Sequence, residues 1–578
     1  MSSLLRTFRQ SSRIVAVASL TALLAAWSPI AALAQDGVVA RQQPTGQDQS
    51  SQNPITKPIA ASPEVTRDRV GIRPGEVRLL ALQDAIAQAL QNNLDIEQFR
   101  QSVRISEFSL FSLRGFYDYT SQADIGFRNA INPTSSSLSG ANSGTLTNKN
   151  LFYNFTTTKN FEQTGGNLFM EFDNSRARSS NIFASLNPVF NTNLTFTYTQ
   201  PILRNFSLDA TRRSIQLAKK SLDLSDSQFR QTVIEIINQV QRAYWDLVYA
   251  IRNEKIARDS VDLARTQLEN NQKMVEAGTL APIELRSTEA QLETAKGNVI
   301  VALQGITTAE NALKILLLKD PTDKIWYSEL TPTDQPIKAE VAFDLEESTR
   351  LALKNRPELD QLRLLAEQKE IDVKYFTNQL KPQLDFIGTY TTTGLAGAPQ
   401  DAVIIGGGGG GNGANILERF QGGFGQSLRN LFGQDFRTYQ VGVRLSFPWR
   451  NRTAKANLGR TLAEQRQLDA RQRQLVETVQ VDVRNALQAV VASKMRYEAA
   501  QAGALAAEAQ YNGEVERYRA GLSTNFVVLQ RQTDLSVARG TEVRALTDYN
   551  KALADLQRVT GMTLTTNNVE ITSAETKK

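Results

Sequence analysis

The side chains that most often carry chemistry are missing from this chain. Its 578 residues include no histidine and no cysteine. That removes the commonest general base and metal ligand. It also removes disulfides, thiolate metal sites and cysteine nucleophiles. No two carboxylates stand at a spacing that supports paired acid–base catalysis. The run GGGGGGNG at 406–413 could suggest a phosphate-cradling loop. No Lys-Ser or Lys-Thr follows it and it lacks a strand-to-helix setting, so a flexible surface loop is expected there. The composition argues against an enzyme and implies no cofactor and no metal.

What the sequence offers instead is one small motif used twice. VEAGTLAPIEL at 275–285 and YRAGLSTNFVVL at 518–529 each interrupt long helical sequence. Each places a glycine, Gly278 or Gly521, where a helix would end in a left-handed cap. A new helix then starts, with Pro282 near its first turn in one copy and Ser523, Thr524 or Asn525 as N-cap in the other. Each motif therefore reads as the tip of an antiparallel helical hairpin.

The elements that would hold these tips are long. Helical character runs unbroken over 205–277 and over 451–519, about 110 Å and about 100 Å at 1.5 Å per residue. One heptad row runs Ile215, Leu222, Phe229, Ile236, Ala243, Ala250, Ala257, Ala264; the other runs Val483, Val490, Tyr497, Ala504, Tyr511, Tyr518. Seven-residue spacing over many turns means helix-on-helix packing along the whole length. Elsewhere the period falls to two. TNLTFTYTQ (192–200) and YQVGVRLSF (439–447) alternate apolar and polar residues, as do LDFIGTY (384–390) and YTSQADIGF (119–127) more weakly. Such strands suit the wall of an outer-membrane barrel, lipid outside and water inside; a soluble sheet with one wet face is the alternative. NLFYNFTTTKNF (150–161) and GGNLFMEFDN (165–174) read as an additional hairpin.

The chain repeats itself. Gly278 matches Gly521 and Leu292 matches Leu535 at an offset of 243, and VQRAY (240–244) matches VRNAL (483–487) at the same offset. LQNNLDI (90–96) resembles LKNRPEL (353–359). The expected organisation is a signal peptide at 1–34, a disordered exported linker at 35–75, a first repeat at 76–318, a link at 319–343, a second repeat at 344–561 and a tail at 562–578. The signal reading rests on Arg6, Arg9 and Arg13 before the apolar stretch 14–27 and on Ala-Leu-Ala before Gln35. No cysteine follows, so no lipid anchor is expected. The formal charge of +6 becomes +3 without those three arginines (6 − 3), and its interleaving with acids gives no reason to expect nucleic acid. Past the N-terminus no run of eighteen apolar residues occurs, so no transmembrane helix is expected. Two clear strands per repeat make four per chain, whereas the smallest barrels need eight. The chain must then assemble: dimers give eight strands and trimers twelve.

With these parts in order, the sequence resembles the TolC family of outer-membrane efflux proteins over about 76–561. The resemblance is carried by LALQDAIAQALQNN at the start, TQPILRNF (199–206), AYWDLVYA (243–250), the two Ala-Gly tips, and NRPEL with LKPQLDFIGTY opening the second repeat. It implies a mainly helical chain with a transmembrane β portion: a long α-helical barrel under one trimeric twelve-stranded β-barrel, two structural repeats per chain. It implies an exit duct in the outer membrane of a Gram-negative-type bacterium, in contact with lipid and extending into the periplasm. Its partners would be a periplasmic adaptor (membrane fusion protein) and an inner-membrane pump of the RND, ABC or a similar type. Adaptor docking carries over to Gly278, Thr279, Leu280, Ala281, Pro282 and to Gly521, Leu522, Ser523, Thr524, Asn525. Family members place carboxylates just after the second tip, around the closed end. Here those positions are Val527 and Gln530, while the first copy keeps Glu284, followed by Arg286. A periplasmic aperture near Glu284, Arg286, Val527, Gln530 and Arg531 is therefore expected with a weaker carboxylate ring, a solvated helix surface being the alternative. A structural or adhesive coiled-coil envelope protein without a pore is the competing function. The cargo is not written in the sequence.

Overall fold

The computed structural model describes residues 66, 68–136, 139–141, 144–338, 344–400 and 416–571. The signal segment 1–34, the glycine run 406–413 and residues 572–578 of the C-terminal tail lie outside the described residues. The elements run β1 (Val77–Leu80), α1 (Leu82–Asn92), α2 (Leu94–Arg114), β2 (Thr120–Pro133), β3 (Thr145–Asn160), β4 (Asn167–Ser179), β5 (Leu186–Pro201), α3 (Ala210–Glu276) and α4 (Ile283–Leu317). They continue with β6 (Glu329–Pro332), α5 (Leu345–Asn355), α6 (Pro357–Gln379), β7 (Gln383–Pro399), α7 (Phe424–Phe432), β8 (Arg437–Ser446), α8 (Arg452–Arg519), α9 (Asn525–Val559) and α10 (Thr563–Thr566).

The two similar motifs near the repeat starts are helix breaks. Asn93 is extended, and its side chain accepts from the N–H groups of Asp95 and Ile96 at 2.9 and 3.2 Å, capping α2. In the second repeat Arg356 is extended and Pro357 opens α6. The stretch that opens with LALQDAIAQALQNN therefore folds as two helices, α1 and α2.

The heptad rows do what their spacing implies. α3 has 67 residues and α8 has 68; α4 and α9, with 35 each, return along them. Ile215, Ile236, Ala250, Ala257 and Ala264 are buried on α3, and Val483, Val490, Tyr497, Ala504 and Tyr518 on α8. α3 packs on α4, α9, α2 and α6, and α8 packs on α9 and α6. That leaves α2 and α4 on one flank and α8 on the other. The α4 sequence is long and apolar enough to cross a membrane by length and composition. In the fold it is the return arm of a hairpin, with Val299 and Ala302 buried against Ala257 of α3.

The link expected at 319–343 contains β6, which pairs in parallel with β1. Both lie over the largest apolar cluster, which gathers Leu80, Tyr244, Leu313, Leu317 and Leu330. The Tyr244 hydroxyl lies 3.1 Å from the Leu80 carbonyl and donates to the Asp334 carboxylate at 2.6 Å. Arg69, inside the segment expected to be disordered, pairs with Glu310 and its side chain is 5% exposed, so order begins before Glu76.

The remaining strands form one antiparallel sheet in the order β2-β3-β4-β5-β7-β8. This corrects the expected count of two strands per repeat. The first repeat supplies four and the second two, because the additional hairpin is inserted between β2 and β5 as β3 and β4. Three copies of this sheet would bring eighteen strands, not twelve. Side-chain alternation gives the sheet two chemically different faces. Met170, Phe196, Tyr390 and Tyr439 are successive register partners on one. Glu171, Thr195, Thr391 and Thr438 are the adjacent row on the other. At the end away from the long helices, α7 packs on β5 and β7, with Thr192 Oγ1 2.8 Å from Ser427 Oγ and Thr392 Oγ1 donating to the Leu431 carbonyl at 2.9 Å. Gly394 permits this approach, since a Cβ there would stand 2.0 Å from the Ser427 carbonyl oxygen.

Candidate functional site

Both tips are built by the same local rule. α3 ends at Glu276, and Gly278 takes φ +69°. The Gly278 N–H reaches the Val275 carbonyl at 2.9 Å and the Thr279 N–H reaches Met274 at 2.9 Å. α8 ends at Arg519, Gly521 takes φ +75°, and its N–H reaches Tyr518 at 3.0 Å while Leu522 N–H reaches Arg517 at 2.8 Å. This paired closure satisfies the last free carbonyls of each helix. A Cβ at either glycine would meet no atom within 4 Å, so backbone handedness alone demands glycine there.

The next helices start differently from each other. Pro282 is the N-cap of α4, and Thr524 the N-cap of α9, whose side chain makes no capping bond. Thr524 caps with its carbonyl, which accepts from Val527 and Val528. Ser523 Oγ donates to Glu514. Thr279 Oγ1 donates to the Met274 carbonyl. Gly278, Thr279, Ala281, Pro282, Gly521, Leu522 and Thr524 are exposed, Leu280 and Ser523 half-buried, and Asn525 buried. Leu522, Phe526 and Ile283 are open to solvent at 72%, 71% and 59%, an apolar surface at the tips.

Behind the exposed residues lies a buried polar knot that ties four helices. Asn271 Nδ2 on α3 lies 2.8 Å from Thr288 Oγ1 on α4 and 2.9 Å from Asn525 Oδ1 on α9. Asn271 Oδ1 accepts from Gln267 Nε2 at 3.0 Å and from the Tyr518 hydroxyl of α8 at 3.0 Å. Asn525 Nδ2 lies within reach of Thr288 Oγ1, Ser287 Oγ and Glu284 Oε2 at 3.0, 3.2 and 3.3 Å. Burial raises the Tyr518 phenol above its ordinary value, and the Glu284 carboxylate acts in the same direction, which keeps the hydroxyl a donor.

The residues expected at an aperture divide. Glu284 belongs to this knot. Arg286 pairs with Glu289 at 2.8 Å, and Arg531 with Asp534 at 3.1 Å, each one turn along its own helix. Gln530 is exposed and donates to Asp534 at 3.0 Å. Val527 is half-buried. Gln267, Asn271, Thr288 and Tyr518 were not foreseen as site residues. Part of the signal was present: Asn271 falls seven residues after Ala264 on α3, so that apolar heptad row ends in asparagine, whereas Asn525 opens α9 beyond the turn and belongs to no row. A polar residue at such a position fixes helix register at some cost in stability. Among the described residues no cluster of acidic side chains could hold a metal ion. The arrangement binds and positions helices; it holds no reacting constellation.

Known proteins match this combination of long hairpins and sheet. A family model for outer membrane efflux proteins covers residues 169–317 and 349–562. The chain belongs to the outer membrane efflux protein family, a family of channel proteins rather than enzymes, and it is a protein of the Gram-negative outer membrane. The outer membrane protein TolC of Vibrio cholerae is 25% identical over 319 residues, 52% of this chain and 65% of that relative, a little under two thirds of its length. Three solved structures share the fold at low identity. The Campylobacter jejuni CmeC outer membrane channel has a TM-score of 0.58 at 16% identity, covering 83% of this chain and 85% of its own. The outer-membrane channel OprN has 0.57 at 15%, covering 83% and 89%. The Neisseria gonorrhoeae MtrE outer membrane channel, in its open state, has 0.53 at 17%, covering 83% and 89%.

Proposed function

We propose that this chain is the outer-membrane exit duct of a tripartite efflux or type I secretion system. Solutes pass through it without catalysis, and the energy is spent at an inner-membrane pump. The observation that carries this reading is the pairing of a two-faced sheet with two long helical hairpins, each leaving the same flanks open. β2 and α2 border one side, β8 and α8 the other. β2 runs away from the helices and β8 runs back toward them, so β2 of one copy can pair antiparallel with β8 of the next.

Both flanks carry exposed apolar residues: Ile105, Phe108 and Phe111 on α2, Ile300 and Val301 on α4, Val481, Val491 and Met495 on α8. Two unlike surfaces that complement each other close into a ring of identical copies. An unpaired strand edge is not tolerated in lipid, which disfavours a lone chain. We assign three copies. The exposed Leu522, Phe526 and Ile283 at the tips supply an apolar docking surface for a periplasmic adaptor, together with Gly278 to Pro282 and Gly521 to Asn525. Glu284, Arg286, Val527, Gln530 and Arg531 then stand near the aperture.

Purified full-length protein in planar lipid bilayers tests this. Discrete ion conductance steps are expected, and Glu284→Lys is expected to alter them, because Glu284 holds the second tip through Asn525. Protein inserted in the bilayer that shows no conductance under any applied voltage would count against a duct.

A further inference from the structure

We propose that the inserted hairpin β3–β4 is part of the membrane wall and widens the lumen, so that the assembled exit has eighteen strands. The proposal rests on the trimeric-duct reading above and goes beyond it. Its alternative is that the hairpin projects as an external loop, leaving a wall of four strands per chain.

The hairpin is paired along its length on both sides. β3 pairs with β2 from Thr120↔Thr158 to Pro133↔Thr145, and β4 with β5 from Asn167↔Thr199 to Ala177↔Val189. Its turn is at the helical end of the sheet. Phe161 N–H donates to the Gly166 carbonyl at 2.9 Å, and Gln200 Nε2 donates to the Thr164 carbonyl at 2.9 Å. Arg212, in the first turn of α3, donates to the Gln163 carbonyl at 3.2 Å. Gly165 takes φ +69° against Arg212, where a Cβ would meet its guanidinium at 2.6 Å. A hairpin whose turn is tied to the long helix crosses the full height of the wall twice. An external loop would turn at the opposite end.

The chemistry of the two faces also continues through the insertion. Phe155, Phe172 and Leu194 are register partners on the apolar face. Thr156, Glu171 and Thr195 are partners in the neighbouring polar row. An apolar stripe in register with those of the flanking strands has no use in a solvated loop, but it is what a lipid-facing strand needs. With a strand spacing of about 4.8 Å and a tilt of about 40°, three six-stranded sheets enclose a ring about 36 Å across between backbones, against about 24 Å for three four-stranded sheets. The number of long helices per chain is unchanged, so the exit flares outward from the helical part. The insertion adds Glu171 and Asp173 to the polar face and no cation.

The absence of cysteine makes the test clean. Single variants of the full chain, Thr156→Cys and Glu171→Cys on the polar face and Phe155→Cys and Phe172→Cys on the apolar face, are reconstituted in phosphatidylcholine vesicles. They are treated with a charged, membrane-impermeant maleimide. Thr195→Cys and Phe196→Cys on β5 serve as the reference pair. The expected result is labelling about tenfold slower on the apolar face in the hairpin and in β5 alike, since lipid shields those positions. Equal labelling on both faces of the hairpin while β5 still alternates would overturn the proposal and leave the duct intact. Loss of alternation at β5 as well would remove the duct reading and the proposal together. Electron-microscopic views of the wild-type particle along its axis give a second measure. A ring near 36 Å supports the wider wall, and one near 24 Å overturns it.

Discussion

The two repeats agree in their helices and differ in almost everything that fastens them. Their long helices have 67 and 68 residues and their return helices 35 each. Their tips close with the same hydrogen bonds. Yet the first repeat contributes four strands to the sheet and the second two. In the first, Glu310 on α4 accepts from Leu330 N–H at 2.9 Å and pairs with Lys314 at 3.0 Å and with Arg69. Lys314 also donates to the carbonyls of Trp326 and Ser328, and burial pulls its ammonium below the ordinary lysine value. At the repeat offset of 243 these positions are Leu553 and Gln557 on α9, with Leu553 packed among Val490, Tyr549 and Leu556. The difference teaches that heptad packing is sufficient for the shared helical body. Polar groups are buried where a further element, β6 or a second hairpin, has to be held in one register.

The largest test of that contrast is Glu310→Gln. It leaves Lys314 buried with its carboxylate gone, which is expected to cost about 3–5 kcal/mol. Replacing the pair by the second repeat's own residues, Glu310→Leu with Lys314→Gln, is expected to recover most of the loss, because no buried charge is then left at those two positions. Urea unfolding of the full chain measures both. If the double replacement is as damaging as Glu310→Gln, the cluster is needed for more than charge compensation.

A middle-sized effect is expected at the tips. Asn525→Leu strands the polar partners on Asn271 and Thr288, at a cost of about 1–3 kcal/mol. The equivalent position at the same offset is Pro282, exposed, where Pro282→Ala is expected to change stability by less than about 0.5 kcal/mol. Hydrogen exchange at both tips reads this difference, with faster exchange in α9 and the end of α3 expected for Asn525→Leu alone. Equal exchange in the two variants would show that the knot does not hold the hairpins together.

A smaller effect than that of Asn525→Leu is expected at the tip glycines, the same in both repeats. Gly278→Ala and Gly521→Ala each force a left-handed alanine, costing about 1 kcal/mol. Local fraying is expected at both helix ends, seen by the same exchange measurement. Clearly unequal values would mean that the tips are less alike than their hydrogen bonds.

What could be read from the sequence follows the same division. The long helices and both tips were legible because a seven-residue period and a φ-positive glycine are local and repeated signals. The residues of β3 and β4 were legible as a hairpin, but their alternation is equally compatible with a loop ribbon. Only pairing with β2 and β5 places them in the wall. β1 and β6 are four residues each and gain their meaning from the Tyr244 cluster they cover. α7 sits in a glycine-rich stretch and is held by Thr192, Gly394 and Asn430, residues with no helical signal of their own. Of the site, the exposed tip was visible and the buried knot was not, although Asn271 at the end of the α3 apolar row marked its place.

The central claim is that the chain works only as a closed ring of copies in the outer membrane. The most direct measurement is the mass of the detergent-solubilised particle by light scattering, with the detergent contribution removed. Three chains per particle are predicted. A stable folded monomer, with the edges of β2 and β8 unpaired, would contradict the account.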